Sequence, residues 1–373
     1  MPFSTKHYRW DIQGLRAIAV LAVVIFHINP MLLPGGYIGV DIFFVISGYL
    51  ILGFIWRDLK RGQFNLLTFY TKRVYRLFPA LFVVVVLSSI AAYFILLPDE
   101  NEIYLKSMVS TLFYFSNFYF YTEANYFNDA MAYYPLLHTW SLSVEEQFYM
   151  LFPLLLILIF TKSKKHLFTL LILIGLASLV LSQWYVNIDA SFAFFASPTR
   201  FFQFIIGGLI AIYLQDHHAP RRGSDLGVIL GVGIIFYTLY FYSEKTLFPG
   251  LNALLPSLGA GLVMYLGMHA RYTTFFLENK LMHLLGNASY SIYLWHWPLL
   301  VFYKLKFSPN LSTKEQVAML CVSIVLGIVS WYFIENKFRK NRLSSLTIKP
   351  ILYVLGVSFL FVLINVFIFK YVG

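Results

Sequence analysis

The chain has 373 residues, 59% hydrophobic and only 12% charged, with a mean hydropathy of +0.71, about half the charged fraction of an ordinary soluble domain. This composition excludes a water-soluble globular protein and leaves no stretch for a sizeable soluble domain; lipid is the expected solvent. The net charge of +11 does not indicate nucleic-acid binding, because the basic residues form short clusters between apolar runs and no contiguous basic face.

The first apolar run, from Ile12, follows the basic residues Lys6 and Arg9 as a signal peptide would. It contains Arg16 and lacks a small-residue cleavage signal, so it is expected to remain as a first span. Further spans are expected near 37–56, 77–97, 137–160, 167–186, 199–214, 226–243, 251–268, 284–304, 315–334 and 350–369, eleven in all with the first at 12–30. The predicted fold class is therefore an all-α polytopic membrane bundle. A single cysteine, Cys321, lies within one of these runs, which rules out a disulfide framework or a cysteine metal site; no metal is expected.

The aromatic stretch 104–121 would make a twelfth span, and charge decides against it. With this stretch outside, 20 of the 28 Lys and Arg residues fall in the alternate, inner segments: the N-terminus, 57–76, Lys162 to Lys165, Arg221/Arg222, Arg271/Lys280 and 337–349. Counting it as a span reverses the later loops against the positive-inside rule. It is expected to be an interfacial or re-entrant element on the outer side. The N-terminus is then cytoplasmic and Gly373 outside. Residues 1–342 read as one transmembrane domain, and 343–373 as an appended C-terminal helix.

Charged groups within a bilayer cost about 2.5–3.5 kcal/mol each on the lenient insertion scale, so Arg16, His27, Asp41, Glu145, Glu146, Arg200 and His296 each need a reason. Arg16 and His27 are eleven residues apart, close to three helical turns. They share a helix face about 16.5 Å apart along the axis, the arginine near the inner surface and the histidine in the outer half. Asp41, one of Glu145 and Glu146, and His296 are expected at depths similar to His27, in one outer-half cavity. Each also has a bland explanation: a hydrogen-bonded core histidine, a snorkelling arginine, a structural carboxylate, an aromatic-belt histidine, or, for Arg200 after Pro198, a structural arginine. At the inner surface Arg73 and Arg76 are spaced to share a helix face. With Arg16 they suit the phosphates of an anionic cytosolic donor; alone they are ordinary positive-inside residues.

Arg16 and His27 in "GLRAIAVLAVVIFH" resemble the arginine-ten-histidine signature of the membrane acyltransferase 3 family. Other pieces follow in family order. "GVDIFFVISGYLI" resembles its Phe-Phe-x-x-Ser-Gly segment through Phe43, Phe44, Ser47 and Gly48, with Asp41 just ahead. "KRVYRLFPAL" supplies Arg73 and Arg76, and "HTWSLSVEEQFYMLFP" resembles a Ser-x-x-Glu-x-x-Tyr element that picks out Ser143, Glu146 and Tyr149. "SYSIYLWHWPLL", with His296, and "WYFIENKFRK" are similar to its late-span landmarks. Together they run across residues 9–340; Lys337 departs from the family, where proline often follows the "IEN" turn.

The resemblance implies an O-acyltransferase of the bacterial inner or plasma membrane that takes an acyl group, most often acetyl, from cytosolic acyl-CoA. It places that group on a carbohydrate hydroxyl outside, such as a surface polysaccharide or lipopolysaccharide O-antigen. Arg16, Arg73 and Arg76 would bind the donor, and His27 would be the base, or the carrier of an acyl-histidine relay. Glu146 or Asp41 would orient its imidazole; Ser47, Ser143, Tyr149 and His296 would belong to the substrate site or its frame. Many family members continue into an SGNH-type extracytoplasmic domain, so the chain is either a stand-alone acyltransferase or part of a longer one. A proton-coupled secondary transporter, which also uses intramembrane histidines and carboxylates, is the alternative.

Overall fold

Hydrocarbon offers no partner to a backbone N–H or C=O, so each apolar run has to close its own hydrogen bonds as a helix. The computed structural model describes residues 9–123, 133–271, 275–340 and 347–371, with no strand among them. In chain order the helices are α1 (Trp10–Ile28), α2 (Gly39–Lys60), α3 (Leu66–Ile95), α4 (Pro98–Leu112), α5 (Ser116–Glu123), α6 (Trp140–Ser163), α7 (Leu167–Ile188) and α8 (Ala190–Phe195). They continue as α9 (Phe201–Asp216), α10 (Ser224–Phe241), α11 (Gly250–Leu266), α12 (Lys280–Lys306), α13 (Thr313–Ser330), α14 (Asn336–Lys340) and α15 (Lys349–Tyr371).

Each of the eleven expected segments falls on a helix. Among the described residues nine helical stretches are long and apolar enough to cross a membrane, and α9, at 16 residues, is a shorter apolar one. The eleventh, α12, has 27 residues but is diluted by Asn287, Ser289, Ser291 and His296, the price of carrying polar groups into the bundle. The stretch 104–121 is not one helix. It divides between α4, whose 15 residues span about 22 Å, and the eight-residue α5, with Tyr114 between them at φ 57°. Neither piece has the length of a span. Lys6, and the 342/343 boundary with Arg342, lie outside the described residues.

Helix packing in lipid relies on small residues that let backbones approach. The α2–α9 contact shows this most clearly. A Cβ on Gly48 would lie 1.8 Å from the Phe204 carbonyl oxygen, and one on Gly207 1.9 Å from that of Val45. Between α1 and α12 the same device recurs, since a Cβ on Gly286 would stand 2.0 Å from the Gln13 carbonyl oxygen. These two close pairs, together with α6, frame the polar interior. The last helix, α15, packs on α3 and α4 and leaves Leu352, Tyr353, Phe359, Leu360 and Phe367 exposed. A π-helical turn, Trp331–Glu335, joins α13 to α14 and buries Glu335 against the hydroxyl of Ser291 at 3.0 Å.

Candidate functional site

The polar residues expected in one cavity are divided among three clusters. The first is an imidazole group. Close packing of α1 along α12 brings His27 Nδ1 to 3.0 Å from His296 Nε2, with the rings nearly parallel at 13°. His296 Nδ1 lies 2.5 Å from the Tyr293 carbonyl oxygen one turn earlier in α12. Trp297 meets the His27 ring edge-on at 4.5 Å and is itself held by its indole N–H donating to the Tyr134 carbonyl, 2.8 Å away. A third ring, His138, in the turn before α6, lies 5.7 Å from His296 and 5.4 Å from Tyr293. It is 3% exposed, and among the described residues neither ring nitrogen has a hydrogen-bond partner.

The second cluster holds Asp41. Its carboxylate does not orient His27, as the sequence had led us to expect. Early in α2 it faces α9, where the Arg200 guanidinium reaches it at 3.0 Å and the Gln203 amide donates to the same oxygen. Arg200 is further held by the Phe194 carbonyl and lies over the rings of Trp140, Phe194 and Phe248. With both side chains of the ion pair 1–2% exposed, this cluster is a strut between helices.

The third cluster lines a cavity bounded by α1, α2, α3, α6 and α12. Arg16, Arg73 and Arg76 stand on its wall together with Ser47, Ser141, Glu145, Tyr149 and Tyr293. Glu145 accepts hydrogen bonds from the Ser47 and Tyr149 hydroxyls. Residues 145 and 149 share a helix face, and Glu146, 100° further round α6, is off the cavity wall. Its Oε1 is buried without a hydrogen-bond partner among the described residues. The carboxylate in the cavity is therefore Glu145, and Glu146 does not orient His27. Ser143 also turns away, bonding the Ser116 hydroxyl at 2.7 Å to pin α5 to α6.

Arg73 lies over the Tyr149 ring at 5.0 Å and the Phe69 ring at 5.6 Å. Neither it nor Arg76 has a hydrogen bond or ion pair to a described residue. Arg16 bonds the Gln13 amide at 3.3 Å. Buried Glu335 lies within electrostatic reach of Arg76 and Arg16. Phe43 and Tyr293 also line the cavity, their rings 6.4 Å apart, and the Tyr293 ring lies 5.2 Å from that of His296, the partner of His27. Tyr293 is fixed there by its hydroxyl, 2.7 Å from Ser141 Oγ and 2.8 Å from the His138 carbonyl oxygen.

Sequence reasoning did not find His138, Tyr293 or Glu335. His138 and Glu335 carry the signal that exposed His27, an ionisable group at the edge of an apolar run. Tyr293 carries no such signal, since tyrosine is common in these helices.

Such a bundle, with guanidiniums on the wall of an internal cavity and an imidazole pair beside Tyr293 of the same wall, defines a polytopic membrane protein with a polar site in its interior. The chain belongs to the Acyl_transf_3 family, described as an acyltransferase domain, which matches residues 9–370. It is similar to the O-acetyltransferase OatA of Staphylococcus aureus strains NCTC 8325 / PS 47 and COL, 29% identical over 364 residues. The match covers 93% of this chain and 60% of those relatives, so the chain spans about 60% of the length of the curated relatives it matches. No solved structure matches the chain.

Proposed function

We propose that this protein transfers an acyl group, acetyl in the first instance, from cytosolic acyl-CoA to a hydroxyl of an extracytoplasmic carbohydrate, from within a bacterial inner membrane. A surface polysaccharide or lipopolysaccharide O-antigen is the acceptor class this reading favours. The observation that carries it is the pair Arg73 and Arg76. Two guanidiniums with no hydrogen bond or ion pair to a described residue line a cavity wall, and such groups match the phosphates of a CoA ester in charge and fork geometry. Arg16 extends this anion-binding wall.

In this reading the acyl-bearing arm runs along the cavity past Ser47, Glu145 and Tyr149, whose polar atoms suit the amides of a pantetheine chain. The thioester reaches His27 once the Phe43–Tyr293 layer gives way. His27 is the group that takes the hydroxyl proton, as an imidazole does near neutral pH. The O-acetyltransferase names of the relatives support acetyl as the group moved.

The test uses inside-out membrane vesicles from cells expressing the chain, given acetyl-labelled acetyl-CoA at the cytoplasmic face. Base-labile label should accumulate in the glycan fraction, in excess of vesicles lacking the chain. A transporter would leave acetyl-CoA intact, and unconsumed donor would overturn the proposal.

A further inference from the structure

Resting on the proposed function, we infer that His296 is a positioning residue that fixes the proton of His27 on Nδ1 and so leaves Nε2 as the reacting nitrogen. The argument follows the hydrogen bonds. A carbonyl oxygen has no proton to give, so the 2.5 Å contact between His296 Nδ1 and the Tyr293 carbonyl requires the proton on His296 Nδ1. With no carboxylate contacting either ring among the described residues, neutral rings account for both bonds. His296 Nε2 then offers a lone pair, and His27 Nδ1, 3.0 Å away, must donate to it. The lone pair of His27 is left on Nε2.

Histidine bases are commonly oriented by a carboxylate. Here a second imidazole takes that place, anchored on the backbone of its own helix. The chemical consequence is where charge goes. As the acceptor oxygen bonds to the thioester carbonyl carbon, its proton moves to His27 Nε2. The positive charge is shared through Nδ1–H to His296. When the C–S bond breaks, Nε2 returns the proton to the CoA sulfur, and both rings end as they began. The other titratable or charged groups around His27 are His138, from the turn before α6, and Lys304, two turns beyond Trp297 on α12. Among the described residues neither is hydrogen-bonded to His27, so His296 is the acceptor that the Nδ1 proton meets.

The inference is tested with three substitutions in the vesicle assay. A glutamine amide can place its oxygen where Nε2 of histidine stands; an asparagine is too short, and alanine offers nothing. His296→Ala and His296→Asn should lower the maximal transfer rate about 100-fold, with the half-saturating acetyl-CoA concentration within about twofold of the unaltered protein. His296→Gln should recover at least about tenfold over alanine, and its rate–pH profile should lose the contribution of the second imidazole. Glutamine and asparagine variants of equal activity would overturn the inference, as would an alanine variant with full rate or one altered only in donor half-saturation. If the alanine variant does not fold, the glutamine–asparagine comparison decides alone. Absence of transfer by the unaltered protein would overturn the proposed function, and this inference with it.

Discussion

Asp41 on α2 and Arg200 at the start of α9 form a fully buried ion pair at 3.0 Å, 159 residues apart in sequence. Gln203 completes it, and three aromatic rings enclose the guanidinium. Removing one member of such a pair leaves an unpaired buried charge, which costs about 3–5 kcal/mol. Asp41→Ala should therefore lower the midpoint of thermal unfolding in detergent, whereas Asp41→Ala with Arg200→Met, which removes both charges, should recover much of the loss. A double variant as unstable as Asp41→Ala would show that Asp41 serves some purpose other than pairing Arg200.

Gly48 marks the closest approach of α2 and α9. A methyl group there meets the Phe204 carbonyl at 1.8 Å, while one at Gly233 in α10 meets nothing within 4 Å. Overpacking of this kind costs about 1–3 kcal/mol, whereas alanine for glycine in an open helix position gains up to about 1 kcal/mol. Gly48→Ala should reduce thermal stability and Gly233→Ala should hold or raise it.

Much of this architecture is legible in the hydropathy pattern, and even α12, whose polar residues dilute it, is marked by its length and its flanking breaks. What a sequence does not contain is the rotation of each helix about its axis. Glu145 and Glu146 differ by one residue, and only the seating of α6 against α2 decides which reaches Ser47. Depth likewise placed Asp41 beside His27, yet the side of α2 on which it emerges faces α9. Groups whose oddness is local, such as His27 or the arginine pair, could be named in advance; their partners, supplied by distant helices, could not.

Among the described residues His27 makes one hydrogen bond, to His296, and it is partly exposed. Loss of one such bond costs about 1 kcal/mol, too little to unfold the bundle. His27→Ala should insert and elute as a single folded species, with transfer reduced at least about 100-fold. Full activity in this variant would remove the imidazole from the chemistry.

Arg73 and Arg76 line the cavity with no hydrogen bond or ion pair to a described residue, although the buried carboxylates of Glu146 and Glu335 lie within electrostatic reach of the pair. A hydrogen bond to a charged group contributes about 1.5–3 kcal/mol, equivalent to roughly tenfold to a hundredfold in donor affinity. Arg73→Ala and Arg76→Ala should each raise the half-saturating acetyl-CoA concentration by about that factor with little change in maximal rate. Lysine at either position should restore part of the loss, because it returns the charge without the planar fork. Variants saturating at the original concentration would mean that these arginines only mark the cytoplasmic side of the bundle.

Leu50 lines the cavity alongside Arg16, Arg73 and Glu145 and is only partly buried, so a larger side chain there can expand into open space instead of into a packed core. Leu50→Trp should thus leave thermal stability within about 1 kcal/mol of the original, in the range of tolerated partly buried substitutions. The indole would nevertheless obstruct the passage between the guanidiniums and Tyr293. If the acyl-bearing arm travels that way, transfer should fall at least about tenfold while Leu50→Ala, which widens the passage, retains activity. Transfer at the original rate by a stable tryptophan variant would mean that the donor approaches His27 along some other route.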